Sequence, residues 1–154
     1  MKDREGERLL ERAISIAVEV HTGQTDRFHR PVILHVLRVM MRGQDVEERL
    51  LGALHDVQER SDITVEALAG EGFPPQVLKA LDHITRREGE DYGHYIDRVA
   101  QDDLALRVKL HDLADKLDIR RLKEMEAADL KRFNRHLAAF HRLRKQAWTE
   151  RRGA

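Results

Sequence analysis

Apolar residues recur at intervals of three and four along most of the chain, and the strict alternation typical of strands is essentially absent. Gly43 and the segment 70–75 indicate breaks between helices, and Pro31 is a favourable first residue for the second helix. The predicted helices lie at about 3–20, 31–42, 46–57, 65–70, 75–85, 92–101, 102–122 and 127–151. We therefore expect one all-α domain of seven or eight helices that spans residues 1–154.

The composition is that of a folded protein without an obvious polyanionic partner. Lys and Arg together number 28, as do Asp and Glu, so the net charge is zero; this argues against nucleic acid as the main partner. The absence of cysteine excludes disulfide bonds and thiolate metal sites. There is no apolar run of about 18 residues and no signal-peptide core at the N-terminus. We expect a cytoplasmic protein that binds neither nucleic acid nor membrane.

The third predicted helix ends in three ionisable residues. In LLGALHDVQERSD, residues 50–62, an apolar run reaches His55 and Asp56, and Glu59 follows one turn later. A buried charge is tolerated only when it is paired or bound to a metal. The spacing leaves two explanations open, a plain His–Asp ion pair and a metal site.

Two further polar residues interrupt predicted apolar faces. His35 lies on the side of the second helix that carries Val32 and Val39, and Asp112 lies just off the apolar stripe of the seventh. Together with His55 and Asp56 they would complete a sulfur-free ligand set for one divalent cation. Such a set suits Mn²⁺ or Fe²⁺, and Zn²⁺, Co²⁺ or Ni²⁺ are possible. Periodicity does not reveal whether these helices meet, so ordinary packed histidines remain the alternative.

Four sequence blocks occur in an order that is similar to the HD superfamily of metal-dependent phosphohydrolases. The blocks are HTGQ (21–24), PVILHV (31–36), GALHDVQER (52–60) and VKLHDLADK (108–116). Over about 13–122, the chain resembles the RelA/SpoT-type hydrolase domain in its small stand-alone form. That resemblance implies removal of the 3′-pyrophosphate of guanosine tetraphosphate (ppGpp). Because the sequence ends at residue 154, we expect the hydrolase half of the larger family members without a synthetase domain.

The resemblance also implies a role for each residue of the cluster. The implied metal ligands are His35, His55, Asp56 and Asp112. Glu59 is implied as the catalytic carboxylate, and Mn²⁺ is the first choice of metal. A rival register would use Asp115, from LADK, in place of Asp112. We prefer Asp112, because the RVKL lead-in then aligns without a gap.

The departures from the family pattern fall in the predicted active site. Arg60 stands where the family has an Asp, and Lys116 stands where it has an Asn that helps to hold the nucleotide. Asp26 and Val32 replace a basic and an aromatic residue. We expect Arg60 to pair with Glu59 or with a substrate phosphate. Two interpretations remain: an enzyme acting on ppGpp or another nucleotide, and a degenerate domain that binds a nucleotide without hydrolysing it.

Cations near the cluster are candidates for neutralising substrate phosphate, beside Arg60. They are Arg27, Lys109, Lys116 and Arg86.

The last predicted helix is rich in arginine, with interleaved apolar residues. These are Phe133, Leu137, Phe140 and Trp148. We expect its apolar side to close the bundle, while burial against a second copy in a homodimer and a nucleic-acid-binding helical module remain open. His136, on the same helix, is expected to be structural or solvent-facing.

Overall fold

The computed structural model describes residues 3–153, and within them the chain forms eight α-helices and a short 3₁₀ helix, with no strand. The α-helices are α1 (Asp3–His21), α2 (Val32–Met41), α3 (Val46–Leu54), α4 (Val65–Gly70), α5 (Pro75–Ile84), α6 (Tyr92–Val99), α7 (Asp103–Lys116) and α8 (Ala127–Gly153). The 3₁₀ helix spans Ile119–Arg121. The predicted all-α class is confirmed. The predicted domain limits include residues 1, 2 and 154, which lie outside the described residues.

Helix α3 lies at the centre of the bundle and packs against α1, α2, α5 and α7. Its N-terminus is capped by Asp45, whose carboxylate accepts a hydrogen bond from the Glu48 N–H at 2.8 Å. Gly52 allows a close approach to α2, since a Cβ built there would lie 2.8 Å from Met40 Cα. This contact brings the C-terminal end of α3 against α2.

The main core takes buried side chains from α1 through α8 and is composed mainly of aliphatic residues. Its largest fully buried members include Leu9, Leu50, Leu51, Leu54, Leu68, Leu81, Ile84, Leu106, Leu113 and Leu143. Leu50, Ala53 and Leu54 of α3 are fully buried, as is Val57 just after the helix. Within the described part of the chain, no helix is long and apolar enough to cross a membrane.

Helix α3 ends earlier than the apolar pattern predicts. The last helical residue is Leu54, although Val57 is buried as expected. The His55 ring Nδ1 lies 2.7 Å from the Gly52 carbonyl oxygen, and this side-chain bond supports an end to the helix at that point. The chain therefore turns at His55 and Asp56, and both side chains remain among the neighbouring helices.

Helix α8 packs against α7 through only part of its predicted apolar side. Ala139 and Leu143 are buried, whereas Leu137 and Trp148 are exposed. Phe133 and Phe140 are half-buried. The prediction that the apolar side of this helix closes the bundle is therefore right in part for Phe133 and Phe140 and wrong for Leu137 and Trp148.

Candidate metal centre and cleft

Three helices bring the four predicted ligands together. His35 lies in the middle of α2, His55 and Asp56 follow the last residue of α3, and Asp112 lies in the last turns of α7. Asp112 Oδ1 lies 3.0 Å from His35 Nε2 and 3.8 Å from His55 Nε2. Asp56 Oδ1 lies 3.5 Å from His55 Nε2. One donor atom from each of His35, His55 and Asp56 falls within 4.8 Å of the other two.

These donors fit a divalent cation. Donor atoms that share one ion at bond lengths of about 2.1 Å lie roughly 3 to 4 Å apart, and the three distances given above, from 3.0 to 3.8 Å, fall in this range. Among the described residues, His35 Nε2, His55 Nε2 and Asp112 Oδ1 are buried atoms without an aligned hydrogen-bond partner, although Lys116 Nζ approaches Asp112 Oδ1 at 2.9 Å. Buried polar atoms are rarely left in this state, and these three converge on one point. The cluster therefore has the chemistry and the spacing of a metal site.

The second nitrogen of each histidine is held by an acceptor. His55 Nδ1 donates to the Gly52 carbonyl, and His35 Nδ1 donates to Asp115 Oδ2 at 2.7 Å. A carbonyl or carboxylate can only accept, so each Nδ1 carries a hydrogen. The Nε2 atoms are the ones that face Asp112. Fixing the outer nitrogen in this way is how proteins orient imidazole ligands.

The two histidines differ in their electrostatics. Burial favours the neutral ring and lowers the pKa of His55. Burial has the same tendency at His35, but the Asp112 and Asp115 carboxylates outweigh it and raise the pKa of His35. A bound cation would replace the proton at His35 Nε2.

Both carboxylates of the cluster are ionised at neutral pH. Burial opposes their charge, but His55 and Lys116 lower the pKa of Asp56 to about 2. The ammonium groups of Lys109 and Lys116 likewise hold the pKa of Asp112 well below its usual range, against burial. Lys109 Nζ lies 2.7 Å from Asp112 Oδ2.

Asp115, the ligand of the rival register, lies on the other side of His35. Its side chain is 1% exposed and also accepts hydrogen bonds from Arg38 Nε at 2.8 Å and Arg38 Nη2 at 3.1 Å. Arg121 approaches the same carboxylate at 3.3 Å. The geometry places Asp112 with the two Nε2 atoms and gives Asp115 the task of orienting His35. The sequence pattern predicts Asp115 only as an alternative metal ligand and does not indicate that it orients His35.

The cluster opens into a cleft of about 420 Å³. The cleft is lined by residues from the α1–α2 loop, the turn after α3, the end of α7 and the first half of α8. Its cationic lining residues are Arg27, Arg30, Arg38, Arg60, Lys116, Arg121 and Arg132. Phe28, Leu122, Phe133 and His136 add apolar and aromatic surface. Six acidic side chains also line the cleft, and some of the arginines are paired with them, as Arg27 is with Asp129 and Arg38 with Asp115.

Glu59, the predicted catalytic carboxylate, and its neighbour Arg60 lie at the edge of this cleft. Glu59 Oε1 accepts a hydrogen bond from the Arg86 backbone N–H at 2.7 Å, and desolvation raises the pKa of Glu59 in spite of that bond. Arg60 Nε lies 3.8 Å from Asp56 Oδ2, and its side chain is 42% exposed. Arg60 thus approaches the metal cluster instead of pairing with Glu59.

The four predicted phosphate-binding cations have different positions. Arg27 and Lys116 line the cleft, and the Arg27 guanidinium is paired with Asp129 at the start of α8. Lys109 is buried beneath Asp112, with Nζ 5.0 Å from the Tyr95 ring centroid. Arg86 lies outside the cleft lining. The cleft therefore brings two of these four cations together.

His136 and Phe133 are cleft residues that the sequence reasoning missed. His136 is 9% exposed, and burial lowers its pKa to about 4. Its ring centroid lies 6.3 Å from that of Tyr92. The one available signal is the pairing of aromatic and basic residues at the start of α8, and that pattern is equally typical of a packed helix face.

The HTGQ block links the cleft to the end of α3. His21 is 1% exposed, and its Nδ1 lies 3.0 Å from Gln24 Oε1. The Gln24 amide donates to the Val20 carbonyl at 2.9 Å and approaches the Arg60 carbonyl at 3.4 Å. These two side chains therefore support the turn that holds Arg60.

His111 lies beside the predicted ligand Asp112 but points elsewhere. Its Nε2 lies 3.1 Å from Glu48 Oε2, and Arg107 Nε donates to Glu48 Oε1 at 2.7 Å. Burial opposes the charge of Glu48, but hydrogen bonds from the Gln44 N–H, His111 and Arg107 lower its pKa. This is a structural ion-pair cluster that joins α3 to α7.

Comparison with known proteins supports the interpretation of the motifs. No family model matches the chain. The guanosine-3′,5′-bis(diphosphate) 3′-pyrophosphohydrolase of Aquifex aeolicus (strain VF5) is 30% identical over 118 aligned residues, covering 69% of this chain and 17% of that protein. The resemblance to RelA/SpoT-type proteins is confirmed. The probable GTP pyrophosphokinase of Mycobacterium leprae (strain TN) is 30% identical over 117 aligned residues, covering 68% of this chain and 15% of that protein. The chain thus spans less than a fifth of the length of either relative.

Proposed function

We propose that the chain is a metal-dependent phosphohydrolase that removes pyrophosphate from the 3′ position of ppGpp or a closely related nucleotide. The observation that carries this proposal is the convergence of His35 Nε2 and His55 Nε2, two buried ring nitrogens without aligned hydrogen-bond partners, on Asp112 Oδ1 beside Asp56. The named activity of the Aquifex relative supports the choice of substrate. We propose that the whole chain is one domain of this kind.

The four donors would hold one divalent cation, with Mn²⁺ as the first choice. Such a cation lowers the pKa of a bound water and polarises a phosphoryl oxygen. His35 is oriented by Asp115 and His55 by the Gly52 carbonyl, so both rings are pre-positioned for that role.

Glu59 is the proposed general base. It lies one turn beyond His55 at the cleft edge, and the Arg86 N–H fixes one of its oxygens, which leaves the other for the attacking water. Desolvation raises its pKa and so increases its affinity for the proton it would take. Arg60, Lys116 and Arg27 are the proposed partners for phosphate oxygens, and the Arg27 guanidinium would exchange Asp129 for substrate.

A nucleotide-binding domain without turnover is the second candidate. It is favoured by Lys116, whose ammonium lies 2.9 Å from Asp112 Oδ1 and brings a cation into the cluster. A domain of this kind would bind the nucleotide without releasing pyrophosphate from it.

The test is release of pyrophosphate from ppGpp by the purified protein, with Mn²⁺ and with a chelator. His55→Ala removes a donor, and His94→Ala, on the exposed face of α6, is the matched control. We expect release that requires Mn²⁺, is lost in His55→Ala and is kept in His94→Ala. Binding of ppGpp without release would favour the second candidate.

A further inference from the structure

Lys116 makes a close contact with the carboxylate at the base of the cluster. Its Nζ lies 2.9 Å from Asp112 Oδ1 and 3.2 Å from Oδ2. Oδ1 is the oxygen that lies 3.0 Å from His35 Nε2 and 3.8 Å from His55 Nε2. The ammonium group thus contacts the oxygen that faces both histidine donors.

A divalent cation and an ammonium group exclude each other at this oxygen. Both are positive, and the environment is largely closed to water, since the Asp112 side chain is 1% exposed. Two like charges a few ångströms apart repel strongly where water does not screen them. A cation that binds Asp112 Oδ1 must therefore displace the ammonium group of Lys116, or bind more weakly because that group repels it.

We propose that Lys116 is an internal competitor of the metal: its ammonium group occupies the histidine-facing oxygen of Asp112 and leaves it when a divalent cation binds. This inference rests on the proposed metal site, and it implies that Lys116 lowers the affinity of that site for the divalent cation.

The surroundings allow Lys116 to leave. Its side chain is 35% exposed and lines the cleft, so the ammonium group can turn toward solvent or a bound anion. Lys109, which is buried and 2.7 Å from Asp112 Oδ2, does not line the cleft and would stay with the carboxylate. Two lysines on one aspartate therefore have different tasks: Lys109 anchors the carboxylate, and Lys116 competes for it.

The proposal is tested by titrating the full chain with Mn²⁺ and following the electron paramagnetic resonance signal of free Mn²⁺. The variants are Lys116→Gln, which removes the charge, Lys116→Arg, which keeps it, and Lys123→Gln, which removes an exposed cation elsewhere. His55→Ala, which removes a proposed metal donor, is titrated beside them. Circular dichroism establishes that each variant is folded. We expect Lys116→Gln to bind Mn²⁺ about tenfold tighter than the wild type, a typical coupling between two sites. Lys116→Arg and Lys123→Gln should stay close to the wild type.

The other outcomes overturn the proposal in distinguishable ways. Unchanged or weaker binding by Lys116→Gln, with Mn²⁺ still bound by the wild type and lost in His55→Ala, refutes the competition and leaves the metal site standing. Equal tightening in Lys116→Arg would show that the charge at this position is not responsible. No Mn²⁺ binding by any variant refutes the competition and the proposed metal site together.

Discussion

Asp115 offers a sharp test of how the cluster is held, because it contacts a proposed ligand without facing the metal position. Its carboxylate accepts hydrogen bonds from His35 Nδ1 at 2.7 Å and from Arg38 at 2.8 and 3.1 Å. Asp115→Asn keeps the size of the side chain and removes its charge. The imidazole of His35 then loses a charge-assisted bond, and its orientation is less well fixed.

The expected losses in metal affinity and in stability follow from two roles of Asp115: it orients His35, and it forms an ion pair with Arg38. Loss of a carboxylate that orients a histidine ligand typically costs 10- to 100-fold in metal affinity, so we expect Mn²⁺ binding to weaken by roughly that factor. Breaking a buried charged pair costs about 3–5 kcal/mol. Arg38 is 40% exposed and regains water, so we expect a loss of about 2 kcal/mol in the free energy of unfolding, measured in urea.

The matched control is Asp118→Asn. Asp118 also lines the cleft, and its carboxylate pairs with Arg120 and Arg121. We expect this variant to bind Mn²⁺ like the wild type. If Asp115→Asn also kept wild-type Mn²⁺ affinity, the assignment of Asp115 as the orienting partner of His35 would be refuted.

The remaining predictions concern catalysis, pH and packing. Glu59→Gln should lower turnover roughly 10²- to 10⁴-fold in the pyrophosphate assay while leaving Mn²⁺ affinity unchanged; parallel losses in both would contradict its role as the base. Glu48→Gln should cost about 1–3 kcal/mol at neutral pH in urea unfolding. Because folding lowers the pKa of Glu48 from its ordinary 4.5, this difference should be complete above pH 4.5 and shrink below it, and a difference independent of pH would refute the account. Gly52→Ala should destabilise by about 1–3 kcal/mol because its Cβ meets the Met40 backbone at 2.8 Å, whereas Gly70→Ala, with open space, should not; equal melting temperatures would contradict this.

The helices could be predicted because their residues carry the information locally. The three-and-four spacing of apolar side chains and the cap at Asp45 depend on neighbours within a turn or two. The end of α3 was less predictable, since it depends on the His55 ring bonding to the Gly52 carbonyl. Val57 fits the helical pattern and is buried, although it lies in the turn that follows.

The candidate site was predictable only in part, because it depends on contacts between helices. The order of the sequence blocks led to the four residues that the structure brings together. It did not show that Asp115 faces the far side of His35, since that depends on how α2 is rotated against α7. The place of His136 in the cleft depends on where α8 crosses it, and periodicity cannot give that position.

The most direct test of the central claim is the anomalous scattering of Mn²⁺ in crystals grown with the metal. The account predicts one strong peak at bonding distance, about 2.1 to 2.3 Å, from His35 Nε2, His55 Nε2 and the Asp56 and Asp112 carboxylates. The same crystals should show Lys116 Nζ turned away from Asp112. A well-ordered cleft with these four side chains in place and no peak between them, or a peak bound elsewhere on the chain, would contradict the account.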